Sequence, residues 1–397
     1  MPILSLGNMY LSAFIESNRK AEKYPLDLVL CQECYLLQLR HNAPLAKLYN
    51  DNYGYLSGIN ATMREELADV VKKASSFLQK SKKNIVIDIG CNDGTLLSDY
   101  PQSVTKVGFD PVKKFAKTAK KKGIVFVNDY FHKRSLSKKY KEKKVQVITA
   151  ISMFYDLEDP NAFVEDIADI LDTNGVCIIQ QNYVVGMLKE HAYDNIVHEH
   201  LEYYSLYSLE QLLKRHGLEV FDVEERDING GSFRTYIRHT GSNVQNKNGM
   251  KKVATMRTKE KKLRLDKPAI YKKFAGEVSD IAKKLKTFVV SETKKGKTVA
   301  IYGASTRGNT ILQYCGLDNT YISFAAERNP EKWGRHTLGT NIPIISEEEA
   351  RKRHPDYFLV LPWFFKAEFE NREKNYLKKG GKFIFPLPKF EVVHHTP

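Results

Sequence analysis

The sequence contains few cysteines and no long apolar run, and each scarcity excludes a class of protein. Five cysteines in 397 residues are too few for a disulfide framework and fit a reducing cytosol. No apolar stretch approaches the ~20 residues that a membrane-spanning helix needs. The opening stretch MPILSLGNMYLSAF lacks the basic start and small-residue cleavage site of a secretory signal. We therefore expect a cytoplasmic protein without a membrane partner.

Acidic residues are outnumbered by basic ones. The chain carries 62 Lys and Arg against 47 Asp and Glu, a formal net charge of +15. This excess favours an anionic partner, such as nucleic acid or a phosphorylated small molecule. The aromatic and glycine spacing of RNA-reading modules is absent, so nucleic acid is the less favoured partner. The alternative is that the lysines cover solvated faces.

Strand and helix patterns alternate through the middle of the chain. Strands are predicted at 84–89, 106–110, 124–128, 145–151 and 175–181. A helix is predicted before them, with Thr62 as its N-cap and Glu65 three residues later. Alternation of this kind implies parallel βαβ units, so we predict an α/β fold with a doubly wound sheet.

A second strand–turn–helix pattern begins near residue 298, in KTVAIYGASTRGNTILQYCG. It predicts a second Rossmann-like α/β domain. The polar, basic and mostly helical stretch before it indicates a connector. We therefore divide the chain into an N-terminal lobe, a first α/β domain, a connector and a second α/β domain, at residues 1–60, 61–244, 245–297 and 298–397.

The stretch DIGCNDGTLL joins the first predicted strand to a turn. Asp88 ends the strand, and Gly90, Asn92 and Gly94 occupy the turn, where glycines let a ligand approach the backbone. Helix N-terminal amides beyond the turn would favour polar groups. About twenty residues on, Asp110 ends the second strand, where a carboxylate can accept two ribose hydroxyls. The pair is typical of S-adenosylmethionine-dependent methyltransferases; another nucleotide is the alternative.

Three further residues follow the later strands and could line the same site. Asp129 could reach the adenine amino group, and Tyr130 could flank the ring. Met153 follows the fourth strand, where it would face the methyl donor. The alternative is an ordinary loop carboxylate beside aromatic and core side chains.

The stretch HEH, residues 198–200, is the strongest candidate for chemistry. Neighbours on a strand face opposite sides, so His198 and His200 would be poor joint metal ligands. A histidine titrates near neutral pH, and a carboxylate such as Glu199 can orient it, which suits acid–base catalysis. The alternative is a hydrogen-bonded structural histidine.

The stretch CQEC resembles half of a zinc site. Cys31 and Cys34 have the spacing of one ligand pair, but a closed site needs four ligands and the sequence offers no second cysteine pair. Zinc is therefore doubtful, and the alternative is two ordinary cysteines.

The stretch YGASTRGN has the composition of an anion-binding turn. Gly303 and Gly308 permit a tight turn, Ser305 offers a hydroxyl group, and Arg307 offers a charged fork. The turn could hold a diphosphate, or it could be purely structural.

Taken together, these motifs resemble one family along nearly the whole chain, the nucleotide-sugar C-methyltransferases. The likeness is carried by the motifs above and by YGYLSGINATMREE, HEHLEYYSL, NGGSFRTYI, ERNPEKWG and VLPW. Members of that family have a zinc-knuckle N-terminal domain, a class I methyltransferase domain and a Rossmann-like C-terminal domain. The resemblance implies that S-adenosylmethionine methylates a carbon of a nucleotide-linked keto-sugar, for surface glycan or natural-product assembly.

The resemblance also implies roles for individual residues. His200 would be the general base that removes a proton next to the ketone, with Glu199 and His198 beside it. Tyr53 or Tyr55 would reach the active site from the N-terminal lobe. The keto-sugar would contact the side chains Asn182, Asn229 and Arg234, and the turn with Gly303, Ser305, Arg307 and Gly308.

The chain departs from the family pattern in two places. The family's first cysteine pair precedes ILSLGNMYLSAF, so here it is lost or the start is truncated. The family often has tyrosine where this chain has Val197, so Tyr203 or Tyr204 would supply the hydroxyl. The alternatives in function are an O- or N-methyltransferase of another phosphorylated metabolite and an RNA-binding or RNA-modifying protein.

Overall fold

A seven-stranded sheet lies at the centre of the computed structural model, which describes residues 1–16, 21–48, 56–79, 83–136, 140 and 144–395. Five neighbouring strands of this sheet, from Leu171–Asn182 to Val125–Val127 at one edge, run parallel. The other two, Ser232–His239 and Leu218–Arg226, extend the opposite edge by antiparallel pairing. This confirms the predicted doubly wound α/β fold. In spatial order the strands are Leu218–Arg226, Ser232–His239, Leu171–Asn182, Val145–Ile151, Ile85–Ile89, Thr105–Phe109 and Val125–Val127.

The inner strands are apolar because helices cover both faces of the sheet. Every residue of Ile85–Ile89 is buried, as expected of a strand with no solvent-facing side. Around this sheet the helical segments are Leu45–Leu48, Ala61–Ala74, Ser75–Phe77, Thr95–Ser98, Lys113–Phe115, Ala116–Lys121, Lys133–Ser135, Phe154–Asp156, Pro160–Ile170, Val184–Lys189, Tyr193–Asn195 and Leu206–Lys214.

A second, antiparallel sheet forms the N-terminal lobe. It pairs Pro2–Tyr10, Lys23–Leu30 and Leu37–Leu39, and its last strand is Glu202–Tyr203 from far along the chain. In Lys23–Leu30 every second residue near the end is a buried leucine, which gives the sheet one apolar face. The borrowed strand follows HEH directly, so this lobe is anchored beside the candidate catalytic stretch.

A third sheet forms the C-terminal unit, confirming a second α/β domain. Phe14–Ile15 pairs with His336–Thr337, so the N-terminal lobe also reaches this unit. The sheet order is Ile344–Ser346, Ala325–Glu327, Val299–Tyr302, Tyr357–Val360, Lys382–Phe385 and Glu391–Val393. Helical segments before and around it are Gly249–Leu263, Pro268–Lys294, Thr306–Cys315, Pro330–Lys332, Glu347–Arg353, Trp363–Phe365, Lys366–Arg372 and Lys374–Lys378.

Among the residues that the structure describes, no helix is long and apolar enough to cross a membrane.

The helix Ala61–Ala74 begins earlier than predicted. Asn60, not Thr62, is the N-cap: its side chain accepts a hydrogen bond from the Thr62 amide at 2.9 Å. Asparagine is among the strongest N-cap residues, so it takes the position ahead of the threonine.

Glu260 joins the connector to the unit that is built on the central seven-stranded sheet. Its carboxylate accepts hydrogen bonds from the Leu206 amide at 2.6 Å, the Tyr207 amide at 3.0 Å and the Tyr183 hydroxyl group at 2.9 Å. The first two donors belong to the start of Leu206–Lys214, where backbone amides lack partners within the helix. The side chain is only 4% exposed, so these donors would otherwise be buried without a partner.

Glu260→Gln should therefore destabilise the protein by about 1–3 kcal/mol, because an amide nitrogen would face buried donors. Urea titration of the wild type and the variant measures the change in the free energy of unfolding. The matched control is Glu348→Gln, which removes an exposed pair with Lys352 and should cost less than about 1 kcal/mol. Equal losses in both variants would contradict the assigned role.

Candidate functional site

The turn after Ile85–Ile89 contains three residues with positive φ. Gly90 and Gly94 have φ of 70° and 75°, and Asn92 has φ of 50°. A Cβ atom on Gly90 would lie 3.0 Å from Cγ of Met153, and one on Gly94 would lie 2.5 Å from Cδ1 of Ile124. A side chain at either glycine would therefore meet both strain and crowding.

The segment after the turn is shorter than predicted. The helix Thr95–Ser98 is a single turn, so its macrodipole is a weaker source of charge stabilisation than the sequence suggested. A ligand at this site would therefore bind mainly to polar groups of the turn and of the end of the next strand, Thr105–Phe109.

Asp110 lies just beyond Thr105–Phe109 and is held by two backbone donors. Its carboxylate accepts hydrogen bonds from the Asn92 amide and the Val112 amide, both at 2.9 Å. Burial raises the pKa of Asp110 above its ordinary value, and the two amides partly offset this. Asp110 also lines a cavity, which is consistent with its predicted role.

Asp88 lies behind the turn rather than in the cavity wall. Its carboxylate accepts a hydrogen bond of 2.6 Å from the Thr149 hydroxyl group. Burial raises the pKa of Asp88 to about 7, and the charge of Asp110 adds to the increase while Thr149 opposes it. Asp88 supports the turn from beneath, and its predicted direct contact with the cofactor is not supported by this position.

The cavity above the turn has a volume of about 380 Å³. That size lies within the usual range of small-molecule sites. Apolar side chains form most of its wall and carboxylates stand at intervals, which suits an adenosine with hydroxyl groups and a cationic amino acid. Its wall includes Gly90, Asn92, Asp110, Asp129, Tyr130, Phe131, Met153, Asp156, Leu157 and Phe163. The residues present therefore fit S-adenosylmethionine.

Asp129 and Tyr130 were both predicted to line the cavity, and the structure fixes the first by hydrogen bonds while the second is partly exposed. The Asp129 carboxylate accepts hydrogen bonds from the Tyr130 amide at 2.9 Å and the Ser135 hydroxyl group at 2.7 Å. The Tyr130 side chain is 39% exposed and lies at the cavity rim. Both positions agree with an adenine contact, which stays a prediction.

The segment that leads into Ala61–Ala74 forms a wall that the sequence did not predict. The Ser57 amide donates a hydrogen bond of 3.1 Å to Oδ1 of Asn92, and Met63 and Leu67 also line the cavity. The strong N-cap at Asn60 was the available signal, because it places this helix directly after the segment. Tyr53 and Tyr55 lie outside the described residues.

His200 has one ring nitrogen engaged. Its Nδ1 donates a hydrogen bond of 2.9 Å to the carbonyl oxygen of Asn195, which places the lone pair of the neutral ring on Nε2. The Tyr155 ring lies against it, with 4.4 Å between ring centroids. Tyr155 stands between Met153 and Asp156, which line the cavity, so the imidazole lies one residue behind the cavity wall.

The other two residues of HEH have different surroundings. His198 is 2% exposed, and its Nε2 lies 3.0 Å from the carbonyl oxygen of Tyr24 in the N-terminal lobe. This position supports a structural role rather than the predicted catalytic one. Burial raises the pKa of Glu199 to about 7. Its Oε2 is buried and has no hydrogen-bond partner in the part of the chain that the structure describes.

Several predicted substrate residues meet near the carbonyl group that holds His200. Nδ2 of Asn182 donates a hydrogen bond of 3.2 Å to Oδ1 of Asn195. Arg307 donates to the carbonyl oxygen of Asn229 at 2.6 Å and to the Asp194 carboxylate at 3.0 Å. Asp194 and Asn195 were not predicted from the sequence. Their place in AYDNIV, directly before HEH, was the local signal.

Arg234 lies elsewhere, and its predicted substrate contact requires correction. Its guanidinium is completely buried and donates to Gln180 at 2.6 Å, Asp69 at 2.8 Å and Glu66 at 2.8 Å. These contacts use its donors to hold the helix Ala61–Ala74 against the sheet. Its role is therefore structural.

The turn at residues 303–308 is explained by packing within the protein. A Cβ atom on Gly303 would lie 2.6 Å from Cγ of Pro362. The Ser305 hydroxyl group accepts a hydrogen bond of 3.0 Å from the Gly308 amide, as an N-cap does. Because Arg307 is directed towards Asp194, the predicted diphosphate cradle is not supported.

Cys31 and Cys34 are partly buried thiols at the end of Lys23–Leu30. Across the described ranges, no group of three or more His, Cys, Asp and Glu side chains could hold a metal ion. The zinc prediction therefore gains no support.

Two family models match this chain side by side. A methyltransferase domain model matches residues 59–223, and a model of the C-methyltransferase C-terminal domain matches residues 227–388. Among curated proteins, C-methyltransferase NovU of Streptomyces niveus is 29% identical over 372 residues, which are 93% of this chain and 88% of that protein.

Solved structures of methyltransferases match part of the chain. An S-adenosylmethionine-dependent methyltransferase from Clostridium acetobutylicum is 12% identical, with a TM-score of 0.35, over 45% of this chain and 92% of its own. The plantazolicin methyltransferase BpumL in complex with SAH is 15% identical, with a TM-score of 0.37, over 45% and 86%. The two matching family models and the NovU relative show that the chain is an S-adenosylmethionine-dependent C-methyltransferase.

Proposed function

We propose that the protein methylates a carbon next to the ketone of a nucleotide-activated keto-sugar, with His200 as the general base. The observation that carries this proposal is the hydrogen bond from Nδ1 of His200 to the Asn195 carbonyl oxygen. This bond occupies Nδ1 and leaves the lone pair on Nε2, in a ring that packs against Tyr155 of the segment that also carries Met153 and Asp156 of the cavity wall. A proton next to a ketone is acidic enough for such a base.

The neutral form of His200 can accept a proton, but burial makes the ring a weak base. Proton removal therefore also depends on stabilisation of the enolate as it forms. Burial lowers the pKa of His200 to about 3, and the charge of Arg307 contributes to the decrease. The ring is therefore neutral at neutral pH and can accept a proton. A general acid at this position would instead require the protonated ring.

A buried donor is available for the charge that develops on the ketone oxygen. Nδ2 of Asn195 is buried and has no hydrogen-bond partner among the described residues, while Oδ1 is held by Asn182. We assign this amide to the enolate oxygen, because donors fixed before reaction stabilise charge most effectively. When bound, S-adenosylmethionine supplies an electrophilic methyl group. The protein contributes alignment of the two reactants.

Three observations support a nucleotide sugar as the substrate. The family resemblance extends over nearly the whole chain, the curated relative NovU is a C-methyltransferase, and the net charge of +15 favours an anionic molecule. We also propose that the parts 1–60, 61–244, 245–297 and 298–397 act as lobe, methyltransferase domain, connector and substrate-binding domain.

Asp110→Asn should weaken the binding of S-adenosylhomocysteine about 10–100-fold, because a hydrogen bond to a charged group contributes about 1.5–3 kcal/mol. Isothermal titration calorimetry measures the dissociation constant. Asp318→Asn, which changes an exposed turn carboxylate bonded to Thr320, is the matched control and should bind normally. Unchanged binding by the Asp110 variant would remove this carboxylate from the donor site.

His200→Gln should reduce kcat by about 10²–10⁴-fold, the usual contribution of a general base. Its affinity for S-adenosylhomocysteine should not change, because His200 lies behind the cavity wall. His216→Gln, at an exposed histidine bonded to Asn161, is the control and should retain full kcat. A loss below about tenfold would favour methylation of oxygen or nitrogen, which needs no proton removal from carbon.

Nucleoside diphosphates titrated into the S-adenosylhomocysteine complex should bind with micromolar affinity and a preference for one base. The expected preference follows from a second, anionic substrate that is held next to the donor. Calorimetry with a panel of the common nucleoside diphosphates measures it. If none binds to the folded complex, the nucleotide-sugar proposal fails while the methyltransferase assignment stands.

A further inference from the structure

One face of the helix Thr306–Cys315 holds the turn that positions His200. Nε of Arg307 donates a hydrogen bond of 3.0 Å to Oδ2 of Asp194, and the Thr310 hydroxyl group donates one of 3.1 Å to the Ile196 carbonyl oxygen. Arg307 and Thr310 are three residues apart, so they lie on the same face of the helix. The C-terminal unit therefore contacts the 193–196 segment through a row of polar groups.

The central contact of this row is the buried ion pair between Arg307 and Asp194, and both side chains also make other hydrogen bonds. Asp194 is completely buried, and its Oδ2 also accepts a hydrogen bond of 3.0 Å from Nε1 of Trp363. Arg307 donates from Nη1 to the Asn229 carbonyl oxygen at 2.6 Å, and its guanidinium lies 4.9 Å from the centre of the Phe364 ring. Separating the two partners would leave an uncompensated buried charge, which is strongly destabilising. The two side chains are therefore held in this arrangement.

We propose that Arg307 is a positioning residue for His200. Arg307 fixes Asp194, and the next residue, Asn195, supplies the carbonyl oxygen that accepts the hydrogen bond from Nδ1 of His200. The same carbonyl oxygen accepts a hydrogen bond of 3.2 Å from the Tyr203 hydroxyl group. The C-terminal unit thus orients a base that belongs to the methyltransferase unit. The inference rests on the proposed role of His200.

Arg307 also acts on His200 through its charge. Burial is the main cause of the lowered pKa of His200, and the positive charge of Arg307 is the next. Among the described residues, the ring packs against the phenol of Tyr155, and Glu199 and His198 are its chain neighbours. The carboxylate of Asp194 pairs with Arg307 and precedes Asn195, and Tyr203 shares the Asn195 carbonyl oxygen. Removing the Arg307 charge should raise the pKa of His200, so that the ring becomes protonated at a higher pH than in the wild type.

The test uses the full-length protein labelled with [¹⁵N]histidine, and it needs no substrate. The ring signals of His200 are those missing from the spectrum of His200→Gln. In the wild type we expect a neutral ring with its proton on Nδ1 between pH 6 and 8. In Arg307→Gln the Nδ1 tautomer should no longer be exclusive in the same pH range. Titration to lower pH, over the range in which both proteins stay folded, should show ring protonation at a higher pH in Arg307→Gln than in the wild type.

Arg307→Lys separates charge from geometry. It keeps the positive charge but loses the fork between Asp194 and the Asn229 carbonyl group. Its His200 ring should stay neutral as in the wild type, while kcat falls. Arg307→Gln should lower kcat about 10²-fold, as expected for a misplaced catalytic group. The kcat values of Arg307→Lys and Arg307→Gln are measured with a nucleoside-diphosphate keto-sugar. Its base is the one that the wild type prefers in the calorimetric panel.

Arg257→Gln removes an exposed arginine that pairs with Glu210, and it should change neither the His200 signals nor kcat. Thermal melting and S-adenosylhomocysteine binding verify that each variant is folded. Wild-type His200 signals in folded Arg307→Gln would overturn the inference, whatever the activity. A fully active His200→Gln would instead overturn the proposed function, because the base itself would be dispensable.

Discussion

The structure depends on one geometric constraint, that the carboxyl ends of parallel strands meet at the same edge of a sheet. Gly90, Asp110 and Met153 each follow a different strand of the central sheet, yet all three line one cavity. No local sequence contact joins them. Parallel pairing of Ile85–Ile89 with both neighbours brings them together, as at the ligand crevice of other open α/β sheets.

The second half of the site depends on contacts between units. His200 follows the strand Leu171–Asn182 of the central sheet. Its hydrogen-bond acceptor belongs to a turn that Arg307 and Trp363 of the C-terminal unit hold through Asp194. The strand Glu202–Tyr203 then joins the N-terminal lobe. A proposed base fixed from both directions has little freedom to rotate, which favours a single reactive geometry.

The predictions that succeeded depend on local chemistry. The sequence predicted a glycine turn after the first strand and a carboxylate at the end of the second, and the structure has both, with positive φ at Gly90 and Gly94. The predictions that failed involve partners distant in the chain. Arg234 has the charge expected of a substrate contact, but Glu66 and Asp69 approach it from a helix more than 160 residues away. Side-chain chemistry alone could not indicate that these partners neutralise it.

The sequence by itself determined the class of fold and indicated a methyltransferase, because the periodicity of strands and the glycine turn between strand and helix are local properties that can be read from residue order. Only the tertiary structure decided which polar side chains belong to the site. His198 turns to the N-terminal lobe while His200 meets Asn195, and Arg307 joins Asp194 instead of standing free at its turn. The reason is that a buried polar group takes the partner that packing brings within reach.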